Sequence, residues 1–360
     1  MRDAALAYHD EHPGHSCPLP PPRAAHHFHP RFVPPWDAET RTDAFQELCG
    51  SGPWRVAGFG GARFRPLPGE PAIPARCGTG RVPIVFVHGN AVDAGDWYPA
   101  LGAVADLGYT MCDLWGLSFN GIGANGAGAA LHTRNPLAQE ERGADGNTNR
   151  TTDHGFNEPD LAAFADAILE FTGARHFSLV GHSLGVTLAR KVLRDRPDLL
   201  RRLDAFVGIA GGNRGTTVCR GNEATLLLAP ERAYFGCEQL APDLPPLWEN
   251  RWLARLNEGD ETPGKARYMT VYDGSGLGDP FFAGPDAMSP RLDGALNCSF
   301  AGAYHNDLRV DPVITGFYAA FLARGPLPSV APGDSPATPQ GVECDGPSYP
   351  DSRGGFAGLL

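Results

Sequence analysis

Short apolar runs alternate along the chain with longer amphipathic stretches. The apolar runs predict buried strands at residues 81–87, 110–114, 176–180, 204–210, 267–272 and 296–301. Helices are predicted at residues 97–107, 158–172, 184–194 and 313–323. Strands that alternate with helices in this way are typical of a mostly parallel sheet with helices on both faces. The pattern therefore predicts an α/β fold.

Both ends of the chain lack these patterns. Residues 1–35 are rich in proline and histidine, which predicts an unpacked N-terminal arm. Residues 326–360 are rich in proline and glycine, which predicts a flexible C-terminal tail. The folded domain is expected between them, at residues 36–325, and a long Gly/Asn-rich segment without a clear period interrupts it at residues 116–155.

The N-terminal arm holds six of the twelve histidines, at positions 9, 12, 15, 26, 27 and 29. Neutral imidazoles bind transition metals, so this cluster is a candidate metal site. A proline-rich, unpacked arm is the favoured interpretation, and the sequence predicts no metal site and no organic cofactor.

The net negative charge argues against nucleic acids and anionic membranes as binding partners. The chain has 30 basic and 41 acidic residues, which gives a net charge of −11, and only two of the basic residues are lysines. A nucleic-acid or anionic membrane surface needs clustered positive charge, so neither partner is expected. No apolar run approaches 18 residues, so no transmembrane segment is expected. Apolar residues make up 42% of the chain, enough for a sizeable core.

The eight cysteines include no CxxC pair, so neither a zinc ribbon nor a thioredoxin-like motif is predicted. Cys112 and Cys298 lie in strand-like runs and are predicted to be buried thiols. Cys219 and Cys237 bracket one loop and are a candidate disulfide. An even cysteine count favours an oxidising compartment. Residues 1–35 contain no apolar core of a secretory signal, so the protein is either cytosolic or exported with a signal outside this sequence.

The strongest chemical motif is GHSLG, at residues 181–185. It follows an apolar strand and opens a predicted helix, which is the strand–turn–helix context of a nucleophile elbow. Small residues at both ends of such a turn let the backbones pass closely, and the serine hydroxyl projects above the sheet. Ser183 is therefore the candidate nucleophile, and an ordinary glycine-rich turn with a capping serine is the alternative.

A serine hydroxyl needs a base to take its proton, and the base needs a carboxylate to fix its tautomer. His305 follows the last predicted strand and is the candidate base. Asp279 is the favoured acid, because a loop residue well past the end of its strand can turn toward the serine. Asp273 comes directly after that strand and is the alternative, with capping of the turn as its other role. The chain order Ser183, Asp279, His305 is the order of the α/β-hydrolase triad.

A tetrahedral intermediate also needs hydrogen-bond donors for its oxyanion. The backbone amide of Leu184, at the start of the predicted helix, is one candidate. The amide of Asn90 is the other, since Gly89 lets the backbone turn inward after the first strong strand.

The motifs FVHGN, GHSLG, IAGGNRG, GSGLGD, RLDGALN and GAYH occur in this order along the chain. Together they resemble the bacterial class 2 lipases and a related extracellular polyhydroxybutyrate depolymerase of α/β-hydrolase fold. The resemblance covers about residues 82–323 and implies the same triad and oxyanion donors. It also implies a Cys219–Cys237 disulfide and secretion, with a signal peptide that this sequence lacks. Residues 116–155 and 213–265 are longer than in small lipases and are predicted as cap-like insertions.

The predicted insertions contain more large apolar side chains than segments that only connect helices and strands require. Trp248 and Trp252 in one of them, and Phe281 and Phe282 beside the candidate acid, are predicted to line the substrate cleft. The expected activity is hydrolysis of carboxylic esters, as a lipase or esterase. The alternatives are a depolymerase acting on a polyester such as polyhydroxyalkanoate, and a hydrolase-like binding protein without turnover.

Overall fold

The computed structural model describes residues 27–28, 58–60, 80–89, 94–110, 112–117, 154–217 and 250–349. Within these ranges the strands are β1 His27–Phe28, β2 Gly58–Gly60, β3 Ile84–Val87, β4 Leu114–Leu117, β5 Phe177–His182, β6 Leu203–Ile209, β7 Arg267–Tyr272, β8 Leu296–Ser299 and β9 Glu343–Asp345. The α-helices are α1 Tyr98–Asp106, α2 His154–Thr172, α3 Leu184–Asp195, α4 Pro197–Leu200, α5 Arg251–Leu256, α6 Asp307–Val310 and α7 Pro312–Leu322. Two 3₁₀ helices lie at Ala94–Trp97 and Gly284–Met288.

The described strands form one sheet in the order β1-β2-β4-β3-β5-β6-β7-β8-β9. The six strands from β4 to β8 are parallel to their neighbours. Antiparallel pairs occur only toward the edges of this sheet, where β2 joins β4 and β9 joins β8. The predicted mostly parallel α/β fold is confirmed.

Successive residues of the central strands enter two separate apolar layers. In β3, Ile84 and Phe86 belong to the layer under α1 and α7, whereas Val85 and Val87 belong to the layer under α2 and α3. Side chains of a strand alternate between faces, so burial on both sides requires an unbroken apolar run. This is why β3 reads Ile-Val-Phe-Val, and why the parallel strands were visible in the sequence.

One predicted strand is wrong. Cys112 and Asp113 form a turn, and β4 begins only at Leu114. The Asp113 carboxylate accepts hydrogen bonds from the Thr110 amide at 2.8 Å and from the Thr110 hydroxyl at 3.0 Å. These local bonds offer the backbone an alternative to strand pairing, and they start the strand four residues late.

The segment 326–349 is packed onto the domain, in contrast to the flexible tail that its composition predicts. Val330 and Ala337 are buried in the layer under α1 and α7, and β9 extends the sheet beyond β8. The Tyr349 hydroxyl accepts a hydrogen bond from the Tyr268 amide at 3.0 Å. Proline and glycine here shape tight turns, and a segment held by turns carries no hydrophobic period.

The predicted thiols of Cys298 and Cys112 are also wrong. Cys298 is fully buried, but it forms a disulfide with Cys344, directly opposite it in the β8–β9 pair. Cys112 is half-buried and disulfide-bonded. Strand-like surroundings indicate burial, whereas the partner of Cys298 lies 46 residues away in a segment without a pattern. Cys219 and Cys237 lie outside the described residues.

Replacing both Cys298 and Cys344 with alanine is expected to lower the free energy of unfolding by about 2–4 kcal/mol, because the bond closes a loop of 46 residues. Urea unfolding of the double variant and of the wild type, both kept oxidised, measures this difference. Replacing both cysteines avoids the unpaired thiol that either single substitution would create. Equal unfolding midpoints would show that β9 is held by its other contacts.

Candidate active site

Ser183 lies at the sharp turn between β5 and α3. Its backbone has φ 55° and ψ −125°, a left-handed conformation that few residues other than glycine adopt. The Ser183 amide donates to the carbonyl of Ile209 at 2.8 Å, and the Ser183 carbonyl accepts from the Val186 amide at 3.0 Å. Strained backbones persist only where the surroundings fix them, and they cluster at functional sites. The GHSLG motif therefore forms the predicted strand–turn–helix, with its serine half-buried.

The two glycines of the motif are required by backbone contacts. A Cβ on Gly181 would lie 2.9 Å from the Gly185 carbonyl oxygen and from the Val186 Cα. A Cβ on Gly185 would lie 2.5 Å from the carbonyl oxygens of both Val87 and His88. The turn is thus pressed against the end of β3, and any side chain at these positions would push the two apart.

The Gly185→Ala variant is expected to be destabilised by about 1–3 kcal/mol, because its methyl group would overlap the backbone of β3. Gly316→Ala in α7 is the matched control, since a Cβ there meets nothing within 4 Å. A helical glycine replaced by alanine gains about 0.5–1 kcal/mol. Thermal unfolding of both variants is the measurement, and equal melting temperatures would contradict the packing argument.

The structure brings His305 and Asp279 together. His305 Nδ1 lies 2.7 Å from Asp279 Oδ2, and the two residues are 5% and 1% exposed. The other carboxylate oxygen of Asp279 accepts from the Phe281 amide at 2.9 Å. Because an ionised carboxylate only accepts, Nδ1 carries the proton and Nε2 is free to take up another. This tautomer is the one that a general base requires.

Asp273 organises the loops that carry Asp279 and His305. One of its oxygens accepts from the backbone amides of Leu277, Gly278 and Asp279 at 2.7–3.1 Å. The other accepts from the amide and hydroxyl of Ser275 at 3.0 and 2.5 Å, and from the Gly302 amide at 2.8 Å. Asp273 therefore caps the turn, the role that the sequence analysis gave it as an alternative to acid.

The hydrogen bonds decide the pKa of Asp273. Burial by itself raises the pKa of this carboxyl. The donated bonds from the Ser275 hydroxyl and from the amides of Gly302, Asp279 and Gly278 outweigh burial, so the pKa is lower than its ordinary value. A carboxylate that accepts several backbone amides is a fixed anion rather than a proton carrier.

Two phenylalanines next to the acid have different surroundings. The Phe281 ring is partly exposed and lies 4.6 Å, centroid to centroid, from the His305 ring. The Phe282 ring lies 6.1 Å from it, but the residue is buried in the apolar layer under α1 and α7. Phe281 therefore lies against the ring of the candidate base, whereas Phe282 packs into the core behind it, and a role for either in substrate binding stays a prediction.

The predicted oxyanion donors are placed only in part. Leu184 is the first residue of α3, where backbone amides have no partner within the helix. The turn after β3 lies beside the serine, because a Cβ on Gly89 would be 3.0 Å from the Ser183 Cβ. Asn90, the next residue, lies outside the described residues, as does Trp248. Trp252 is half-buried on α5.

The turn after β6 is held by polar contacts to several parts of the chain. The Arg190 guanidinium donates to the Asn213 side-chain oxygen at 3.0 Å, and the Asn213 amide donates to the Pro290 carbonyl at 2.8 Å. The Asn257 side chain donates to the Asn213 carbonyl at 2.7 Å. Asn213 is thus bonded to α3 and to the loop of Pro290, and the bond from Asn257 joins the two ends of the segment predicted as an insertion, residues 213–265. Among the described residues, no group of three His, Cys, Asp or Glu side chains is arranged to hold a metal ion.

His182 is the residue whose place the sequence analysis missed. Its ring is buried against that of His305, with the ring centroids 4.7 Å apart. The available signal was a buried strand that ends in a polar side chain beside the nucleophile.

Comparison with protein families finds two matches. The model of the class 2 lipases matches residues 159–274, and the general α/β-hydrolase fold model matches residues 82–211. Ser183 lies within both matched ranges, whereas Asp279 and His305 lie beyond them. No curated protein matches the chain. No helix among the described residues combines the length and the apolar character needed to cross a bilayer.

Several solved structures resemble the chain. Aspergillus fumigatus lipase B is 16% identical over 68% of this chain and 52% of its own, with a TM-score of 0.46, so the match spans about half of that lipase. The mature form of Bacillus licheniformis lipase BlEst2 is 17% identical over 73% of this chain and 94% of its own, with a TM-score of 0.44. The Bacillus subtilis carboxylesterase CesB is 15% identical over 70% of this chain and 87% of its own, with a TM-score of 0.39. Over residues 82–211 the chain is thus similar to the α/β-hydrolase fold, over residues 159–274 it is similar to the class 2 lipases, and the mostly parallel order of the described strands agrees with that fold.

Proposed function

We propose that the protein hydrolyses carboxylic esters through an acyl-enzyme, with Ser183 as nucleophile, His305 as base and Asp279 as the acid that orients the base. The observation that carries this proposal is the buried 2.7 Å hydrogen bond between Asp279 and His305 Nδ1. It leaves His305 Nε2 as the nitrogen that can accept the serine proton. The strained turn at Ser183 supports the same reaction. It follows β5, two strands from β7, which leads to Asp279, at the same carboxyl-terminal edge of the sheet.

In the acylation step, Ser183 Oγ attacks the carbonyl carbon of the ester while His305 Nε2 takes the hydroxyl proton. The tetrahedral intermediate collapses, and the bond to the alcohol oxygen breaks. His305 returns its proton to that oxygen, so the alcohol leaves neutral. Asp279 stabilises the imidazolium that exists between the two proton transfers.

In the deacylation step, water replaces the alcohol. His305 Nε2 takes a proton from the water as its oxygen attacks the acyl carbon, and then returns a proton to Ser183 Oγ. The carboxylic acid leaves and the enzyme is restored. The backbone amide of Leu184 at the start of α3 is the proposed donor to the oxyanion in both steps, with Asn90 as the second.

The surroundings of His305 favour a water-insoluble ester. Leu277 is 85% exposed and Tyr304 is 51% exposed. Phe281, which lies between these two residues in the sequence, contacts the ring of His305. The loops of Leu277 and Tyr304 adjoin, because a Cβ on Gly278 would lie within 2.6 Å of the backbone of Gly302. Exposed apolar groups gathered near a site are typical of interaction with an apolar partner. Acylglycerols are the first candidate substrate and polyesters the second.

The activity test is hydrolysis of p-nitrophenyl esters from acetate to palmitate, with Ser183→Ala as the control. Turnover that depends on Ser183 is expected, and the chain-length optimum measures the acyl site. A triglyceride emulsion and a polyhydroxyalkanoate suspension, compared at equal enzyme concentration, then separate lipase from depolymerase. A protein that binds these esters without any turnover would be the non-catalytic alternative.

Export from the cytosol is part of the same proposal. Cys298 and Cys344 form a disulfide, and Cys112 is also disulfide-bonded. Structural disulfides persist in oxidising compartments and are rare in the cytosol. The pairing proposed for Cys219 and Cys237 is tested by the mass shift on alkylation with and without reductant, where two free thiols would exclude it.

A further inference from the structure

His182 connects the turn of the nucleophile with the loop of the base. It is the last residue of β5 and is 3% exposed. Its Nε2 lies 3.1 Å from the backbone oxygen of His305, and the centroids of the two rings are 4.7 Å apart. Trp97 packs edge-on against the same ring at 6.4 Å. The ring is therefore enclosed, and it contacts the backbone of the base as well as its side chain.

The hydrogen bond fixes the tautomer of His182. A carbonyl oxygen only accepts, so Nε2 must carry the proton and Nδ1 keeps its lone pair. Nδ1 is buried beside the turn after β3, where a Cβ on Gly89 would lie 3.3 Å from it, and it has no hydrogen-bond partner among the residues that the structure describes. A proton added to Nδ1 would find no acceptor among the described residues around it. The ring is thus built to stay neutral.

The electrostatic surroundings agree with this geometry. Burial, and then the proximity of the His305 ring, lower the pKa of His182 well below its ordinary value of 6.5. His182 therefore does not compete for the proton that moves between serine, base and leaving group. Two adjacent histidines in one site can then have separate roles.

We propose that His182 is a positioning residue for the base: its Nε2–H holds the backbone carbonyl of His305 and so fixes the distance between His305 and Ser183. The inference rests on the proposed function. Asp279 orients the imidazole through Nδ1, whereas His182 fixes the backbone from which that imidazole extends. Because His182 is bonded directly to Ser183, one side chain ties the base to the nucleophile's own turn. A displacement of about 1 Å between reacting groups lowers the rate about a hundredfold.

Two substitutions separate the hydrogen bond from the volume of the ring. His182→Phe keeps a planar ring of similar size but removes the donor. His182→Gln keeps an N–H donor at the same number of bonds from the backbone, so it is expected to restore the contact. Thr270→Val is the matched control, because it removes a buried 2.8 Å hydrogen bond to Asn297 from β7, away from the site.

We expect His182→Phe to lower kcat about ten- to a hundredfold while KM stays within about twofold, because the ester is bound elsewhere. His182→Gln is expected to recover kcat to within about threefold of the wild type, and Thr270→Val to lower the melting temperature without changing kcat. A kcat for His182→Phe equal to that of the wild type would overturn the inference. So would equal losses of kcat in the Phe and Gln variants.

A second measurement does not depend on turnover. Long-range ¹H–¹⁵N NMR correlations report the tautomer of each histidine, and the signals absent from His182→Gln assign those of His182. A neutral ring protonated at Nε2 is expected at pH 6, and a ring protonated at Nδ1 would overturn the inference even if His182→Phe fails to fold. Absence of Ser183-dependent turnover in the wild type would instead overturn the proposed function, and this role with it.

Discussion

Replacing Ser183 with alanine is expected to lower kcat/KM for p-nitrophenyl esters by at least about 10⁴-fold, because no other group can form the acyl-enzyme. Initial rates at several ester concentrations measure the loss. Ser178→Ala is the matched control, since Ser178 is a buried serine of the same strand β5. It is expected to retain activity within about twofold. Substantial turnover by Ser183→Ala would disprove the assignment of the nucleophile.

The base is expected to act with the serine as one unit. His305→Ala should fall to the same residual rate as Ser183→Ala, and the double variant should fall no further. Additive losses would show that the two side chains act in separate steps.

The backbone of Ser183 adds a prediction on stability. Glycine adopts φ 55° and ψ −125° without the strain that a Cβ creates. Ser183→Gly is therefore expected to be inactive but more stable than the wild type by about 1 kcal/mol. Thermal unfolding of the Gly and Ala variants compares the two, because Ala retains the strain and loses the hydroxyl. A lower melting temperature for Gly than for Ala would contradict the strain argument.

Replacing Asp279 with asparagine is expected to lower kcat about 10³–10⁴-fold, with a small effect on stability. An amide that donates to His305 Nδ1 would favour the tautomer with its proton on Nε2, which cannot accept from the serine. Asp273→Asn is expected to affect stability more than kcat. Its amide group would face backbone donors, so a loss of about 1–3 kcal/mol in stability and a smaller loss of activity are expected.

Comparing kcat and urea unfolding for these two matched variants tests which aspartate is the acid. The reverse ranking in kcat would make Asp273 the acid. The stability difference should also depend on pH, because hydrogen bonds lower the pKa of Asp273 in the folded protein. A carboxyl whose pKa is lower in the folded than in the unfolded protein stabilises the fold fully at pH values above its unfolded pKa, which is about 3.9 for aspartate. The wild type should therefore lose its advantage over Asp273→Asn as the pH falls below about 4.

The parallel core could be predicted from the sequence because burial on both faces leaves a simple signal. The run at residues 267–272 coincides with β7, and the helix predicted at residues 184–194 differs from α3 by one residue at its end. The missed turn at Cys112 and Asp113 is different, since the Asp113 carboxylate competes with the sheet for the Thr110 amide. Hydrophobicity does not report such a contact.

The candidate site also combines features that the sequence predicts with contacts that it does not reveal. Ser183, His305 and Asp279 follow strands, and the carboxyl ends of parallel strands meet at one edge, so their proximity follows from topology. The contact between His182 and the His305 carbonyl does not, because it depends on a side chain reaching a backbone atom 123 residues away. The Cys298–Cys344 bond was also hidden, as a pairing of cysteines needs the register of the strands.

The C-terminal strand has a consequence for how molecules of this protein meet one another. A parallel sheet that ended at β8 would present a row of unpaired amides and carbonyls to which a second chain could add a strand. β9 occupies that row in antiparallel register, and its three exposed residues, Glu343, Cys344 and Asp345, include two carboxylates, of which that of Asp345 is paired with Arg291. The covalent bond through Cys344 prevents β9 from peeling away. A short, acidic border of this kind disfavours strand addition by a second chain, and the fibrous aggregation that can grow from it, as long as the disulfide holds β9 in place.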